Sequence, residues 1–224
     1  MGKTICLVGT FDTKGLEFQF LKNQIESAGV STLAINAGIL GEPSLKPDIS
    51  AEDLASASGT SLAKLRQEAD RGNSVAIMAK GAAQIVTQLW NEKKINGIIS
   101  LGGSAGTTIA TTAMRTLPVG TPKVMVSTLA SGDTSPYVGT KDIAMIYSVV
   151  DIAGINSISR QILTNAASAI VGMTNKEPQV TNQSDKPLIA ATMFGVTTPC
   201  VTKARETLEA NGYEVLVFHA TGSG

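Results

Sequence analysis

Ile98-Ile99-Ser100-Leu101-Gly102-Gly103-Ser104-Ala105-Gly106-Thr107-Thr108 is an apolar run that empties into glycines and then into small hydroxyl residues. Flanked by Asn96-Gly97 and Gly102-Gly103, the run reads as a short strand buried on both faces, with Thr107 to Leu117 as the helix after it. Strand, glycine turn and helix start together make the repeating element of a parallel α/β sheet. Glycines let backbone N–H groups approach a ligand closely, and a helix start adds unpaired donors and partial positive charge, so a phosphate is the natural occupant. Gly102, Gly103 and Gly106 supply the backbone on this reading, and Ser104, Thr107 and Thr108 the hydroxyl donors. On the alternative reading Gly102-Gly103 makes only a tight turn and Ser104 only caps the helix.

Upstream, Thr4 to Gly9 reads as a first strand, Thr10-Phe11-Asp12-Thr13-Lys14-Gly15 as the loop after it, Leu16 to Gly29 as a helix and Ser31 to Ile35 as a second strand. This is a βαβ unit, and its loop falls at the carboxyl end of a parallel strand, where open α/β sheets place their ligands. Thr10, Asp12, Thr13 and Lys14 are therefore candidates, Lys14 for a phosphate and Asp12 for a metal or a ribose hydroxyl. Alternatively Asp12 or Thr13 caps the helix and Lys14 is solvated. Residues 37–50, with Gly38, Gly41, Pro43 and Pro47, read as a long connection that ends in a capping box, Ser50 with Asp53. The next apolar pattern divides into two helices at Gly72-Asn73, with Lys80 turned either to a cleft or to solvent.

Downstream, Lys123 to Thr128 is a further strand, and its exit at Leu129 to Pro136 repeats the chemistry of the first two exits. Ser131 and Gly132 join the candidates there, with Asp133 as a carboxylate. Ile143 to Tyr147 reads as another strand. Asp151, set among apolar residues, calls for a donor, a metal or the turn at Gly154. The helix Asn156 to Met173 carries Ala166-Ala167-Ser168-Ala169, which permits close packing on the sheet or on another subunit. Residues 1–175 thus form one α/β domain, and the polar segment 176–186 reads as a linker. From 187 to 224 a second α/β domain begins: Gly29 and Gly212 lie 183 residues apart, and at that offset Phe11 falls on Phe194, Leu33 on Leu216 and Asn36 on His219. Two strands leave an apolar edge uncovered, so the reading expects the rest of that domain, a partner chain or a homo-oligomer to cover it, and expects Thr221 to Gly224 to form a second anion-binding loop.

Among 224 residues, 18 Lys+Arg balance 18 Asp+Glu, which disfavours nucleic acid and an anionic membrane as partners. Cys6 and Cys200 have neither metal nor redox spacing and suit a reducing cytoplasm. No apolar stretch approaches the roughly 20 residues that span a bilayer, and residues 1–3 run into a strand without a signal-peptide core, so the expected location is cytoplasmic. A P-loop is excluded because Gly102 to Thr108 holds no lysine, and the dinucleotide fingerprint G-x-G-x-x-G is not met. His219 is the only histidine, which argues against a serine triad and against a zinc site.

Residues 9–17 (GTFDTKGLE), 101–108 (LGGSAGTT), 117–139 (LPVGTPKVMVSTLASGDTSPYVG) and 148–156 (SVVDIAGIN) resemble the Tm-1-like ATP-binding family, also called UPF0261, over essentially the whole chain. The resemblance implies two Rossmann-like subdomains, an ATP site on the first and a longer polypeptide. It also implies a role, in the plant branch of the family, in binding a viral replication protein. The loops Thr10 to Lys14 and Gly102 to Thr108 match the family's nucleotide-contacting segments. Two functions follow. In the first, an adenine nucleotide at the strand-exit loops orders a cleft for a partner or substrate. In the second, an enzyme uses ATP and Mg²⁺, with Asp12, Asp133 or Asp151 holding the metal, on a small acidic metabolite. A bare assembly module with no ligand is the third.

Overall fold

The computed structural model describes residues 2–176 and 186–222. The chain divides into two compact units, Met1–Lys176 and Glu177–Gly224. In the first, β1 (Thr4–Gly9), β2 (Ser31–Asn36), β3 (Gly97–Gly102), β4 (Lys123–Ser127) and β5 (Ala144–Tyr147) form one sheet in the order β2-β1-β3-β4-β5. Every neighbouring pair is parallel. The central strands are continuous apolar runs because both faces are covered: Ile5 to Val8 and Ile98, Ile99 and Leu101 are all buried.

Helices α1 (Phe11–Ser27) and α7 (Ser157–Asn175) cover one face, where Phe18, Leu21 and Ile25 meet Leu163, Ala166 and Ile170 over Leu7, Ile99 and Val124. The other face carries α2 (Ala51–Ala57), α3 (Leu62–Glu68), α4 (Arg71–Asn91) and α5 (Ser104–Thr116), which bring Leu54, Leu65, Met78, Ile109 and Met114 onto Cys6, Val8, Ile98 and Met125. A single-turn helix, α6 (Ser135–Val138), follows β4. Ala166 and Ala167 are buried, so the small-residue run packs against the sheet.

Lys123, fully buried at the start of β4, is held by the carbonyls of Pro118 (2.8 Å) and Thr121 (2.7 Å) and by Asp142 at 2.8 Å. Burial opposes ionisation of Asp142, but hydrogen bonds from Lys123 and the Gly120 N–H, together with the Lys123 charge, hold its carboxyl below the usual range.

Several expected boundaries move. The segment Thr10 to Gly15, read as a loop, is the N-cap and first turns of α1, because β1 passes directly into the helix. A local departure from helical geometry falls at Lys14 (φ −128°, ψ 19°). Helix α5 starts at Ser104 rather than Thr107, since β3 already ends at Gly102. The break between α3 and α4 lies at Ala69 (φ 51°) and Asp70, not at Gly72-Asn73, which sit inside α4. Asp70 accepts the Asn73 N–H and so starts the helix earlier. Lys80 is solvent-exposed.

In the second unit β6 (Leu188–Met193) and β7 (Glu214–His219) pair in parallel around α8 (Thr198–Ala210), a second βαβ. At the offset of 183 residues β7 overlays β2 end to end, whereas β6 overlays β1 one residue late. No residue of β6, α8 or β7 is buried, and Leu188, Leu216 and Phe218 are exposed. Thr221 turns its N–H (3.3 Å) and Oγ1 (2.7 Å) back to His219 Nδ1. The remainder of the expected second anion loop, 223–224, lies outside the described residues.

Candidate functional site

The strand order reverses between β1 and β3: the chain leaves β1 for β2 on one side and returns to β3 on the other. The loops leaving these two strands therefore diverge, and a crevice opens at their carboxyl ends. A cavity of about 830 Å³ occupies it. Thr10, Asp12, Thr13 and Lys14 line it from α1, and Gly102, Gly103, Ser104, Ala105 and Gly106 from the β3–α5 junction.

At that junction Gly103 is the N-cap of α5 and supplies no side chain to cap it. The first backbone bond of the turn runs from Thr107 N–H to the Gly103 carbonyl at 2.8 Å. Among the described residues, the N–H groups of Ser104, Ala105 and Gly106 have no hydrogen-bond partner, and they lie on the cavity wall. Gly102 has a packing reason: a Cβ there would stand 3.0 Å from Gly106 Cα, so glycine lets α5 close on β3. Gly103 has none of that kind, since a Cβ would meet only Thr128 Oγ1 at 3.7 Å and its φ of −83° suits any residue. What glycine does at 103 is leave the helix uncapped.

The remaining candidates divide. Thr107 is buried, with Oγ1 2.7 Å from Ser127 Oγ, and ties α5 to β4 rather than facing the cavity. Thr108 donates back to the Ser104 carbonyl at 2.9 Å. Ser131 and Gly132 are exposed at the β4 exit and do not line the cavity. Asp133 accepts the Ser135 N–H at 2.9 Å, and hydrogen bonds from the Ser135 side chain and backbone lower its pKa. Asp151, expected to need a partner in the interior, is exposed and accepts the N–H of Ile152. The turn at Gly154 is held instead by buried Glu17, whose Oε1 accepts the Gly154 N–H at 2.6 Å.

Of the three carboxylates considered for Mg²⁺, only Asp12 lines the cavity. Its Oδ2 accepts the N–H groups of Leu40 (2.8 Å) and Gly41 (3.3 Å), which fixes the loop after β2 over the site. Its Oδ1 is buried without a partner beside Gly38, where a Cβ would approach it to 2.1 Å. No group of three or more His, Cys, Asp or Glu that suits a metal occurs among the described residues. Lys14 Nζ donates to the Ile152 carbonyl.

Sequence reading missed several parts of the site. Asn36, at the end of β2, accepts the Phe11 N–H (3.0 Å) and the Gly38 N–H (2.9 Å) and so caps α1 from a neighbouring strand. Leu65, Val75, Met78 and Ile109 form an apolar wall. Arg66 and Arg71 line the cavity from α3 and α4. Nothing local marks these residues, because α3 and α4 reach the site only through tertiary packing.

A doubly wound, Rossmann-like α/β domain with its cavity at the topological switch point is the class that fold and site define. Residues 3–179 match the UPF0261 family N-terminal domain and residues 186–224 its C-terminal domain, and the chain belongs to this family. It is 58% identical to a UPF0261 protein of Clostridium tetani, over 100% of this chain and 55% of that protein. To a UPF0261 protein of Rhizobium meliloti it is 46% identical, over 99% of this chain and 54% of the relative. It is also 39% identical, over 97% of its length and 31% of the relative, to the ToMV resistance protein Tm-1(GCR237) of Solanum lycopersicum. The chain thus spans about half the length of these bacterial relatives. Among solved structures it is similar to UDP-N-acetylglucosamine 2-epimerase from Rickettsia bellii at 12% identity and a TM-score of 0.39, over 98% of this chain and 62% of that one.

Proposed function

We propose that the first unit binds an adenine nucleotide in the switch-point cavity, and that the bound nucleotide orders the loops at 37–50 and 129–139 that face a partner or substrate. The observation that supports this most is the uncapped start of α5, whose three free N–H groups line a cavity of about 830 Å³. A phosphate satisfies those donors and meets the positive end of the helix dipole. Lys14 adds charge by exchanging the Ile152 carbonyl for a phosphate oxygen. The wall of Leu65, Val75, Met78 and Ile109 suits the face of a base. The resemblance carried by residues 9–17 and 101–108 supplies the choice of adenine.

Mg²⁺, where it accompanies the nucleotide, finds one carboxylate here, Asp12, and is held chiefly by the phosphates. Two free cysteines, Cys6 and Cys200, fit a reducing cytoplasm. No helix among the described residues is long and apolar enough to cross a membrane.

Calorimetry with ATP, joined to hydrogen exchange of residues 10–14 and 102–108, tests the proposal. Saturable binding with slowed exchange in both segments is expected, and recovery of the ATP unchanged after incubation. Absence of binding refutes the nucleotide, and stoichiometric conversion to ADP refutes a purely ordering role.

A further inference from the structure

Arg66 and Arg71 line the cavity and differ from the cations of the first unit that are held in ion pairs. Lys22, Lys64, Lys94 and Lys123 each pair with a carboxylate. Arg66 and Arg71 have no acidic partner among the described residues, although acids stand next to them in sequence. Glu68 pairs with Lys64 at 3.8 Å and accepts from Asn73 Nδ2 at 3.3 Å, and Asp70 accepts the Asn73 N–H at 3.0 Å. The left-handed Ala69 (φ 51°) turns the chain between α3 and α4 so that both arginines line one cavity. With Lys14, whose Nζ is held on the Ile152 carbonyl, they make three basic residues lining the cavity against one acidic residue, Asp12, which is itself committed to the Leu40 and Gly41 N–H groups.

The geometry at Arg66 sharpens this. Its Nε donates to the Ile39 carbonyl at 2.6 Å, which sets the orientation of the guanidinium plane. Its two terminal nitrogens make no hydrogen bond among the described residues, and Arg71 makes none at all among them. A guanidinium pinned through Nε has the rest of its fork free to take two oxygens of one anion. Ile39 belongs to the loop that Asp12 holds, so an anion on Arg66 would sit beneath that loop.

We propose that Arg66 and Arg71 form an oxyanion subsite of the cavity, separate from the N–H groups of α5, that takes a phosphate or carboxylate group. The group comes from one of two sources: the terminal phosphate of the bound nucleotide, or the acid of a second small molecule bound beside it. The subsite deepens the nucleotide reading and rests on it only for the identity of the neighbouring ligand.

The test compares the parent chain with Arg66→Gln, Arg71→Gln and the double variant by calorimetry. ATP and AMP are titrated first, then pyrophosphate into ATP-saturated protein. If the arginines hold the terminal phosphate, ATP affinity falls about tenfold to hundredfold while AMP changes by less than about threefold. If they hold a separate acid, both nucleotides bind as in the parent, and pyrophosphate binding to the saturated protein is lost with the arginines. Unchanged ATP affinity without arginine-dependent pyrophosphate binding overturns the subsite. Arginine-dependent pyrophosphate binding in a parent that takes no adenine nucleotide overturns the nucleotide reading alone. Should loss of the Arg66–Ile39 bond unfold the chain, Arg71→Gln by itself, at an exposed position, carries the same comparison.

Discussion

Gly103→Asp is expected to keep or raise stability while removing nucleotide binding, and the two effects have one cause. The backbone at Gly103 (φ −83°, ψ −155°) accepts any residue, and a Cβ there meets only Thr128 Oγ1 at 3.7 Å, so the side chain fits. An aspartate at this N-cap accepts the N–H groups that glycine leaves open. As a cap, Asp exceeds Gly by a few tenths of a kcal/mol, and its charge at the helix start adds ~0.3–1 kcal/mol. The expected gain is about 0.5–1 kcal/mol, or roughly 1–4 °C in Tm for a domain of this size. The nucleotide loses at least one charge-assisted hydrogen bond, ~1.5–3 kcal/mol, and meets a like charge as well, so ATP affinity should fall by about a hundredfold or more. Gly103→Ala, which adds bulk without an acceptor, should bind within about threefold of the parent. Thermal unfolding without ligand and calorimetry with ATP read the two effects separately. A folded Gly103→Asp protein that binds ATP like the parent would refute the reasoning, and an equal loss in Gly103→Ala would assign the effect to bulk.

Asp142→Asn should destabilise the first unit by on the order of 1 kcal/mol at neutral pH, a modest figure because the carboxylate is half-exposed and screened. Since the folded-state pKa of Asp142 is lowered, its contribution is complete above the unfolded pKa of about 4 and is lost as pH falls through the lower folded value. Denaturant midpoints of parent and variant should therefore differ at pH 7 and converge as pH falls through the lowered folded-state pKa of Asp142, and a constant difference would count against the pair. Burial pushes the Cys6 thiol far up, with the Asp48 charge acting in the same direction, whereas Cys200 is exposed. Alkylation followed by mass spectrometry should label Cys200 in the folded chain and Cys6 only with denaturant, and early labelling of Cys6 would contradict its position in β1. Val149 has φ 62°, and Val150 N–H closes a tight turn on the Ser148 carbonyl at 2.7 Å, a conformation that strains a β-branched residue. Val149→Asn should raise stability by about 1 kcal/mol in urea unfolding, and a loss would show that the turn is not strained.

Amino-acid order alone determined the parallel α/β class, the positions of the strands and the glycine turn that follows β3. Uninterrupted apolar runs such as Ile5 to Val8 are stable only when covered on both faces, and glycines stop the run where it must turn. The capping box at Ser50 and Asp53 was also legible, because its partners are three residues apart and bond as expected, Ser50 N–H to Asp53 Oδ2 at 2.8 Å. Helix starts at Phe11 and Ser104 were not legible. Tertiary contacts decided them: Asn36 takes the Phe11 N–H from the next strand, and Gly106 sits against Gly102 so closely that α5 begins at once. Nor could order alone show that Asp12 serves the loop at Leu40, that Glu17 and not Asp151 holds the turn at Gly154, or that Arg66 and Arg71 share a cavity with Gly103. A sequence fixes dihedral preference and burial within a few residues. Which side chains meet across a cavity depends on the strand order β2-β1-β3, and that order is set only when the whole sheet assembles.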